Sequence, residues 1–329
     1  MSLRKPSGAI QVDVDELWVY YESIGRPAPP DAFTRVYEEG IPRLLALFAA
    51  FDIRATFFVC GRDLPAQAGW LAEMVRQGHE VANHSTWHRA GFARLSREEK
   101  RADIATTDVL IKAACGQAPL GFKSPGFSFA ADQLDVLADL GYLYDSSILP
   151  TPYAPLLRSL QAMLSHGCVD PSHYGRAIHG LAPLRPYHPD PTAPHRRSRP
   201  IDQSLRDGSQ STNQPIHQFT NSSINNFLEA PVTTMPILRL PMHSTFVLTA
   251  GQPLFDAGLA LVKACSVPIN YLLHAADVID AVPDPALASY RFLTKPWSEK
   301  QPLYEHMLRQ LSDEYELLPT VEFIQRQTA

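Results

Sequence analysis

Two histidines separated by three residues are the side chains most suited to binding a metal ion. His84 and His88 end the segment His-Ser-Thr-Trp-His, and residues i and i+4 share one face of a helical turn or meet in a tight loop. Neutral imidazole is a common ligand of divalent metals, so the pair predicts half of a metal site. Asp15, which ends a short β-branched run upstream, is of the right type to supply a third ligand. Such a site leaves coordination positions open for water and substrate, as a hydrolytic metal requires.

The spacing of Asp13 and Asp15 allows two carboxylates to act together. In a strand, residues i and i+2 point to the same side, about 6.6 Å apart. One carboxylate can therefore bind the ion while its neighbour takes a proton from a water molecule. This pattern predicts hydrolysis at an open metal centre.

The elements that must hold these residues alternate between strand and helix. Short apolar or β-branched runs predict buried strands, and apolar residues at helical spacing with capping residues predict helices. We predict strands over 9–14, 55–60, 79–82, 121–123, 142–146 and 268–274. We predict helices over 41–51, 66–77, 96–114, 131–140, 302–311 and 321–327, and a loop over 18–40. The alternation predicts a parallel sheet, as in a barrel or a doubly wound fold, with the candidate residues at strand C-terminal ends.

The domain organisation follows from length and composition. A chain of 329 residues with 45% apolar residues can bury the core of one large domain. Residues 195–226 are polar, and within them 213–219 resembles 221–227. Such a composition buries too little apolar area to offset the entropy of ordering. We therefore predict one domain over 1–329 with a mobile Pro- and polar-rich insertion over 195–226.

Charge and cysteine content exclude several classes of partner. The net charge of -5 gives no reason to expect nucleic acid or an anionic membrane as partner. The four cysteines form no paired motif, which is typical of a reducing compartment. Residues 1–10 contain no apolar signal core, and no run of about 18 apolar residues occurs. We predict a cytoplasmic protein without a transmembrane segment, and a homo-oligomer remains open.

Five segments, in order along the chain, resemble the polysaccharide deacetylase family, the NodB-like group also called carbohydrate esterase family four. The segment containing Gly-His-Glu-Val followed by His-Ser-x-x-His is highly specific, whereas Leu-Leu-His is weak alone. The matching segments are 12–15, 55–59, 78–88, 122–126 and 272–274. The resemblance extends from residue 10 to about residue 280.

This resemblance implies a distorted (β/α) barrel, commonly with seven strands, and a divalent metal that serves to hydrolyse N-acyl groups of amino sugars. It assigns Asp15, His84 and His88 as metal ligands, Asp13 as general base and His274 as general acid. Zinc is the metal expected for two histidines and one aspartate, although cobalt, nickel or iron suits the same ligands. The chain has Asp-Val-Asp where most members have adjacent aspartates, a variant also found in intracellular relatives.

A second departure concerns the element that contains Lys123. Many members carry arginine there, whereas lysine binds a carboxylate as a point charge and cannot form a bidentate pair. We expect Lys123 to hold Asp13 in its ionised form. Asp145, at the end of a predicted strand, is expected to orient His274.

Four residues are expected to contact the substrate. Trp18 and Tyr20 could form the floor of a sugar-binding cleft, or they could simply pack the predicted loop against the core. Pro125 and Gly126 follow Lys123 in the same family element and are expected beside the reacting group.

The predicted function is metal-dependent removal of an N-acyl group, above all N-acetyl, from an amino sugar of a polysaccharide or glycan precursor. A deformylase of a lipid-linked amino sugar, or another amide hydrolase such as an allantoinase-like enzyme, is the alternative within hydrolases. The alternative outside enzymes is a carbohydrate-binding protein on a catalytically dead barrel. The complete set of Asp13, Asp15, His84 and His88 favours an active hydrolase.

Overall fold

Parallel strands form the central sheet. The structure is a computed structural model that describes residues 5–165, 173–198 and 227–328. The strands are β1 Ser7–Val14, β2 Thr56–Val59, β3 Glu80–Asn83, β4 Gly121–Phe122, β5 Tyr144–Asp145, β6 Pro189–Asp190, β7 Ala193–Arg197, β8 Leu228–Glu229, β9 Asn270–His274 and β10 Glu316–Leu318. The helices are α1 Leu17–Ser23, α2 Ile41–Ala50, α3 Leu64–Arg76, α4 Arg97–Cys115, α5 Asp132–Asp139, α6 Ala154–Ser165, α7 Ser244–Ala250, α8 Gln252–Ala264, α9 Trp297–Glu314 and α10 Thr320–Thr328.

Seven strands lie side by side in the order β9-β1-β2-β3-β4-β5-β8, and every pair is parallel. Ala9 pairs with Asn270 of β9 and also with Leu318 of β10. A strand can pair along only two edges. Strand β9 therefore lies along one edge of β1, and the short β10 and β2 lie one after the other along the opposite edge. The seven-stranded α/β architecture predicted from the sequence is confirmed, and β10 adds a short eighth strand.

The sheet curls until its two ends meet. The Asn270 side chain on β9 donates to the carbonyl oxygens of Ala230 and Pro231, which directly follow β8, at 3.0 and 3.2 Å. The backbone N–H of Thr233 donates to the carbonyl of Asn270 at 3.0 Å. These hydrogen bonds join the ends of the strand order, and the sheet forms a distorted barrel.

The C-terminal helix α10 closes the end of the barrel opposite the strand C-termini. Its first residue, Thr320, accepts hydrogen bonds from Gln11 and from Thr56, the first residue of β2. Phe323 and Ile324 are buried in a cluster with Phe58 of β2. One end of the barrel is therefore filled by side chains, and the other remains available for a site.

Helix boundaries follow capping chemistry. Ser96 and Glu99 form a capping box at the start of α4, and Gly116 ends this helix with a φ of 76°. Helix α9 begins at Trp297, five residues before the predicted start at 302, and it contains Pro302 in its interior, where proline removes one backbone hydrogen bond. The predicted loop over 18–40 instead contains α1 and two further short helical turns.

The predicted insertion lies largely outside the described residues. Residues 195–197 belong to β7, which pairs antiparallel with β6. Residues 199–226 are outside the described part of the chain, so a mobile insertion there stays a prediction. Within the described ranges, no helix combines the length and apolar character needed to cross a bilayer.

Candidate metal centre and active site

Asp15, His84 and His88 meet just beyond the C-terminal ends of β1 and β3. Nε2 of His84 and Nε2 of His88 lie 3.5 and 3.4 Å from Oδ1 of Asp15. One ligand atom from each residue lies within 4.8 Å of the other two, and no other such cluster occurs in the described part of the chain. The three residues proposed from the sequence as metal ligands are therefore brought together.

The donor atoms fit a divalent cation. Oδ1 of Asp15 is buried and accepts no hydrogen bond among the described residues, which costs free energy unless a cation or water satisfies it. Nδ1 of His84 lies 2.8 Å from the carbonyl oxygen of Lys123, so Nδ1–H donates and the Nε2 lone pair faces Asp15. Burial lowers the pKa of His88 to about 4, which keeps its imidazole neutral and able to ligate.

A tight loop, and not a helical turn, brings the two histidines together. Ser85 and His88 both adopt positive φ values, 67° and 43°. The Asn83 side chain accepts from the Ser85 N–H at 2.8 Å, and the Ser85 hydroxyl accepts from the His88 N–H at 3.1 Å. Local hydrogen bonds thus stabilise backbone conformations that non-glycine residues rarely adopt.

Helix α4 anchors this loop through Asp103, which sequence reasoning did not identify. Its carboxylate accepts from the Thr86 N–H at 2.6 Å, and the Thr86 hydroxyl donates to the Asp103 carbonyl at 2.6 Å. Asp103 occupies a buried position of an amphipathic helix, where only its acidic type could have drawn attention.

Asp13 and Lys123 form a buried ion pair beside the metal ligands. Nζ of Lys123 lies 2.7 Å from Oδ1 of Asp13. Burial by itself raises the pKa of Asp13, but Lys123, His84 and His274 outweigh it and hold the pKa below its usual range. Oδ2 of Asp13 lies 3.9 Å from His84 Nε2 and 4.0 Å from His274 Nε2. An ionised carboxylate therefore stands between the ligand cluster and His274.

His274 is placed by the register of β1 and β9, in which it pairs with Asp13. Its Nδ1 lies 2.9 Å from the hydroxyl of Thr245, and that hydroxyl donates to Oδ1 of Asp277 at 3.1 Å. The fully buried Asp277 also accepts from the His274 N–H at 3.1 Å. Because the Thr245 hydroxyl donates its proton to Asp277, its oxygen is free to accept a hydrogen bond from Nδ1–H of His274. Nε2 of His274 then faces Asp13.

Asp145 does not orient His274, which corrects the expectation from the sequence. It accepts hydrogen bonds from Gln133 at 3.0 Å and from Ser147 at 2.5 Å. Burial raises its pKa to about 7. The orienting groups are Thr245 and Asp277, on α7 and just after β9. No motif marked either residue, because their proximity to His274 depends on how a separate helix packs.

A cavity of about 170 Å³ opens above these groups. Tyr20 and Gly126, which were expected to contact the substrate, line it, together with His243, Tyr174, Tyr290 and Phe292, which the sequence did not suggest. The described structure corrects two further expectations. Trp18 is fully buried and its indole donates to Asp63 at 2.8 Å, and Pro125 is buried beside Gly126. Neither side chain is available to a substrate.

Comparison with known proteins shows similarity to polysaccharide deacetylases over part of the chain. The family model for polysaccharide deacetylase matches residues 31–144. A peptidoglycan deacetylase of Helicobacter pylori is 31% identical over 150 residues, which cover 45% of this chain and 51% of that protein. A chitooligosaccharide deacetylase of a Bradyrhizobium species is 33% identical over 101 residues, which cover 30% of this chain and 46% of that protein.

The fold comparison covers nearly the whole chain. The crystal structure of a Mycobacterium smegmatis protein described as a polysaccharide deacetylase aligns with a TM-score of 0.59 and 15% identity, over 99% of this chain and 91% of that chain. This similarity concerns the fold. The matched segment spans about half the length of the curated relatives. Residues 31–144 are therefore similar to the polysaccharide deacetylase family, and the fold of the Mycobacterium smegmatis protein is shared over nearly the whole chain.

Proposed function

We propose that the protein is a metal-dependent hydrolase that removes the N-acetyl group of an amino sugar in a polysaccharide or a glycan precursor. The observation that carries this proposal is the position of the Asp13 carboxylate. It lies between the ammonium of Lys123 and the cluster of Asp15, His84 and His88, about 4 Å from His274. The deacetylase names of the curated relatives support the same substrate class.

Asp15, His84 and His88 would hold the ion, and zinc is the metal we propose for these ligands, ahead of cobalt, nickel or iron. A bound divalent ion supplies Lewis-acid activation of the acyl carbonyl and of water. The protein residues then supply positioning and proton transfer, and each step can be assigned to a named atom.

Asp13 acts as general base in this mechanism. Its Oδ2 faces the ligand cluster, while its Oδ1 is held by Lys123. Because Lys123 keeps Asp13 ionised, the carboxylate can accept a proton from the attacking water. The oxygen of that water forms a bond to the acyl carbon.

His274 acts as general acid. Thr245 accepts the hydrogen bond from its Nδ1, so its Nε2 points toward the cleft and Asp13. Nε2–H donates a proton to the amide nitrogen as the carbon–nitrogen bond breaks. The products are a free amine on the sugar and a carboxylic acid, which then loses its proton to water. The proton held by Asp13 passes to His274 and restores both residues.

Metal content and product release test the proposal together. Protein purified without an affinity metal is analysed for metals, beside Asp15→Asn and His84→Ala. The matched control is His306→Ala, a histidine whose partner is Asp256, far from the cluster in sequence. We expect about one equivalent of metal in wild type and control, and loss of metal in both site variants.

Product analysis separates the alternatives. Acetate release from N-acetylated amino sugars supports the proposal, whereas formate release from N-formylated ones supports a deformylase. Hydrolysis of a cyclic amide alone would indicate an allantoinase-like enzyme. Sugar binding without turnover in the metal-loaded protein would indicate a catalytically inactive carbohydrate-binding protein and would overturn the proposal. The cytoplasmic location and a homo-oligomeric state stay predictions.

A further inference from the structure

A second, apolar groove adjoins the reaction cavity. It has a volume of about 220 Å³. Five residues line both spaces: Tyr174, His243, Thr245, Tyr290 and Phe292. The groove is therefore continuous with the cavity that contains Asp13 and His274, and a single ligand could occupy both.

Contacts with Tyr20 and Lys300 hold in place the wall that the two spaces share. Tyr20 packs edge-on against Tyr290 and Phe292, with ring centroids 5.1 and 5.7 Å apart. The buried Lys300 donates to the carbonyl oxygens of Phe292 and Ile279 at 3.0 and 2.8 Å. Since these contacts fix the backbone at Phe292, the aromatic wall is formed before any ligand binds.

The far side of the groove is made by aliphatic and aromatic side chains of two helices. Leu157 and Leu160 come from α6, and Phe246 comes from α7. On α6 the side chains of Leu156, Leu160 and Met163 are 64%, 46% and 69% exposed and recur at i, i+4 and i+7. One exposed leucine needs no explanation, but a row of large apolar side chains beside a groove marks a binding surface.

We infer that the substrate is an amphiphilic glycoside, whose acylated amino sugar occupies the cavity and whose apolar chain lies in the groove along α6. This inference rests on the proposed function. The continuity of the two spaces carries it, because the ionisable groups of the site cluster at Asp13, Asp15 and His274. The groove beyond the shared wall is lined on its apolar side by Leu157, Leu160, Pro241 and Phe246, and its polar lining residues there are Thr249, Ser289 and Arg291. A ligand that fills both must be polar at one end and apolar at the other.

The test compares octyl and methyl glycosides of N-acetylglucosamine, with the octyl compound kept below its micelle concentration. Burial of several methylene groups favours the octyl compound by about 10-fold or more in kcat/KM in the wild type. The double variant Leu160→Asn with Phe246→Ser is expected to reduce this preference to about 2-fold, while kcat/KM for the methyl glycoside stays unchanged.

Leu181→Asn is the matched control, because Leu181 is 67% exposed and lies outside the groove. It should leave both substrates unaffected. Equal kcat/KM values for the two glycosides in the wild type, or an octyl preference that survives the double variant, would overturn the inference. Loss of a dimer in the double variant with no change in substrate preference would do so as well, because the groove would then be an interface between two copies.

A failure of the proposed function can be distinguished from a failure of the groove assignment. If no glycoside is hydrolysed, calorimetric titration of the metal-loaded protein still compares the affinities for octyl and methyl glycosides. Tighter binding of the octyl compound that disappears in the double variant supports the groove assignment without any turnover. Equal affinities overturn it.

Discussion

The ammonium of Lys123 lies 2.7 Å from the Asp13 carboxylate, and both side chains are almost completely excluded from solvent. Lys123 also lies over the ring of Phe58, with Nζ 4.3 Å from its centroid. The ion pair therefore sits in apolar surroundings, where a lone carboxylate would tend to take up a proton. Lys123 thus fixes the charge of the residue proposed as general base.

Replacement of this lysine should abolish most activity. In Lys123→Met the burial of Asp13 is opposed only by the histidines, so its pKa rises and less of it is ionised at neutral pH. We expect kcat/KM at pH 7 to fall about 100-fold or more, and the acidic limb of its pH profile to shift to higher pH. Lys112→Met, at an exposed position of α4, is the control. An unshifted acidic limb would show that Asp13 is not the base.

The Thr245 hydroxyl, which links Asp277 to His274, can be removed with little change in the shape of the side chain. Thr245→Val deletes the hydroxyl that contacts Nδ1 of His274 and Oδ1 of Asp277. Without it the ring can rotate and exchange tautomers, so we expect kcat to fall about 10-fold with KM nearly constant. Thr106→Val, at an exposed position of α4, is the control. A change in KM alone would mean that Thr245 only contacts substrate.

Sequence patterns predicted those parts of the site that depend on single strands. The β-branched run of β1 gave Asp13 and Asp15 a common side, and the motif after β3 supplied both histidines. Parallel pairing then brings Asp13 beside His274, because the two residues share a register position. These positions can be predicted from local periodicity and from the rule that the carboxyl ends of parallel strands lie at the same edge of a sheet.

The remaining site residues depend on packing between distant segments. Thr245 and Asp277 are 32 positions apart and meet only because α7 packs against the end of β9. Trp18 was expected either to form the floor of a cleft or to pack against the core, and α1 turns its indole inward toward Asp63. A side-chain direction of this kind follows from tertiary contacts, which a single sequence does not specify.

Metal binding should stabilise the fold. A ligand that binds only the native state adds about 4 kcal/mol at a concentration 1,000 times its Kd. We therefore expect saturating zinc to raise the Tm of the chelator-treated wild type by several degrees, as differential scanning calorimetry would measure. Asp15→Asn should show no such rise, because a neutral amide replaces the buried carboxylate, whose Oδ1 has no hydrogen-bond partner among the described residues. A rise of equal size in this variant would place the ion elsewhere.

His79 should make stability depend on pH. Its Nδ1 accepts from the Ala55 N–H at 3.1 Å, and burial lowers its pKa to about 4. In the unfolded chain the pKa of His79 is near 6.5, so below that pH the unfolded chain binds a proton that the native state excludes. The contribution of neutral His79 to the free energy of unfolding is therefore complete above pH 6.5 and is lost as pH falls toward 4. His79→Asn retains an acceptor and cannot titrate. In urea unfolding, the free energy of the wild type minus that of the variant should be about 2 kcal/mol smaller at pH 5 than at pH 7.5. A difference that is constant with pH would show that His79 is protonated equally in both states.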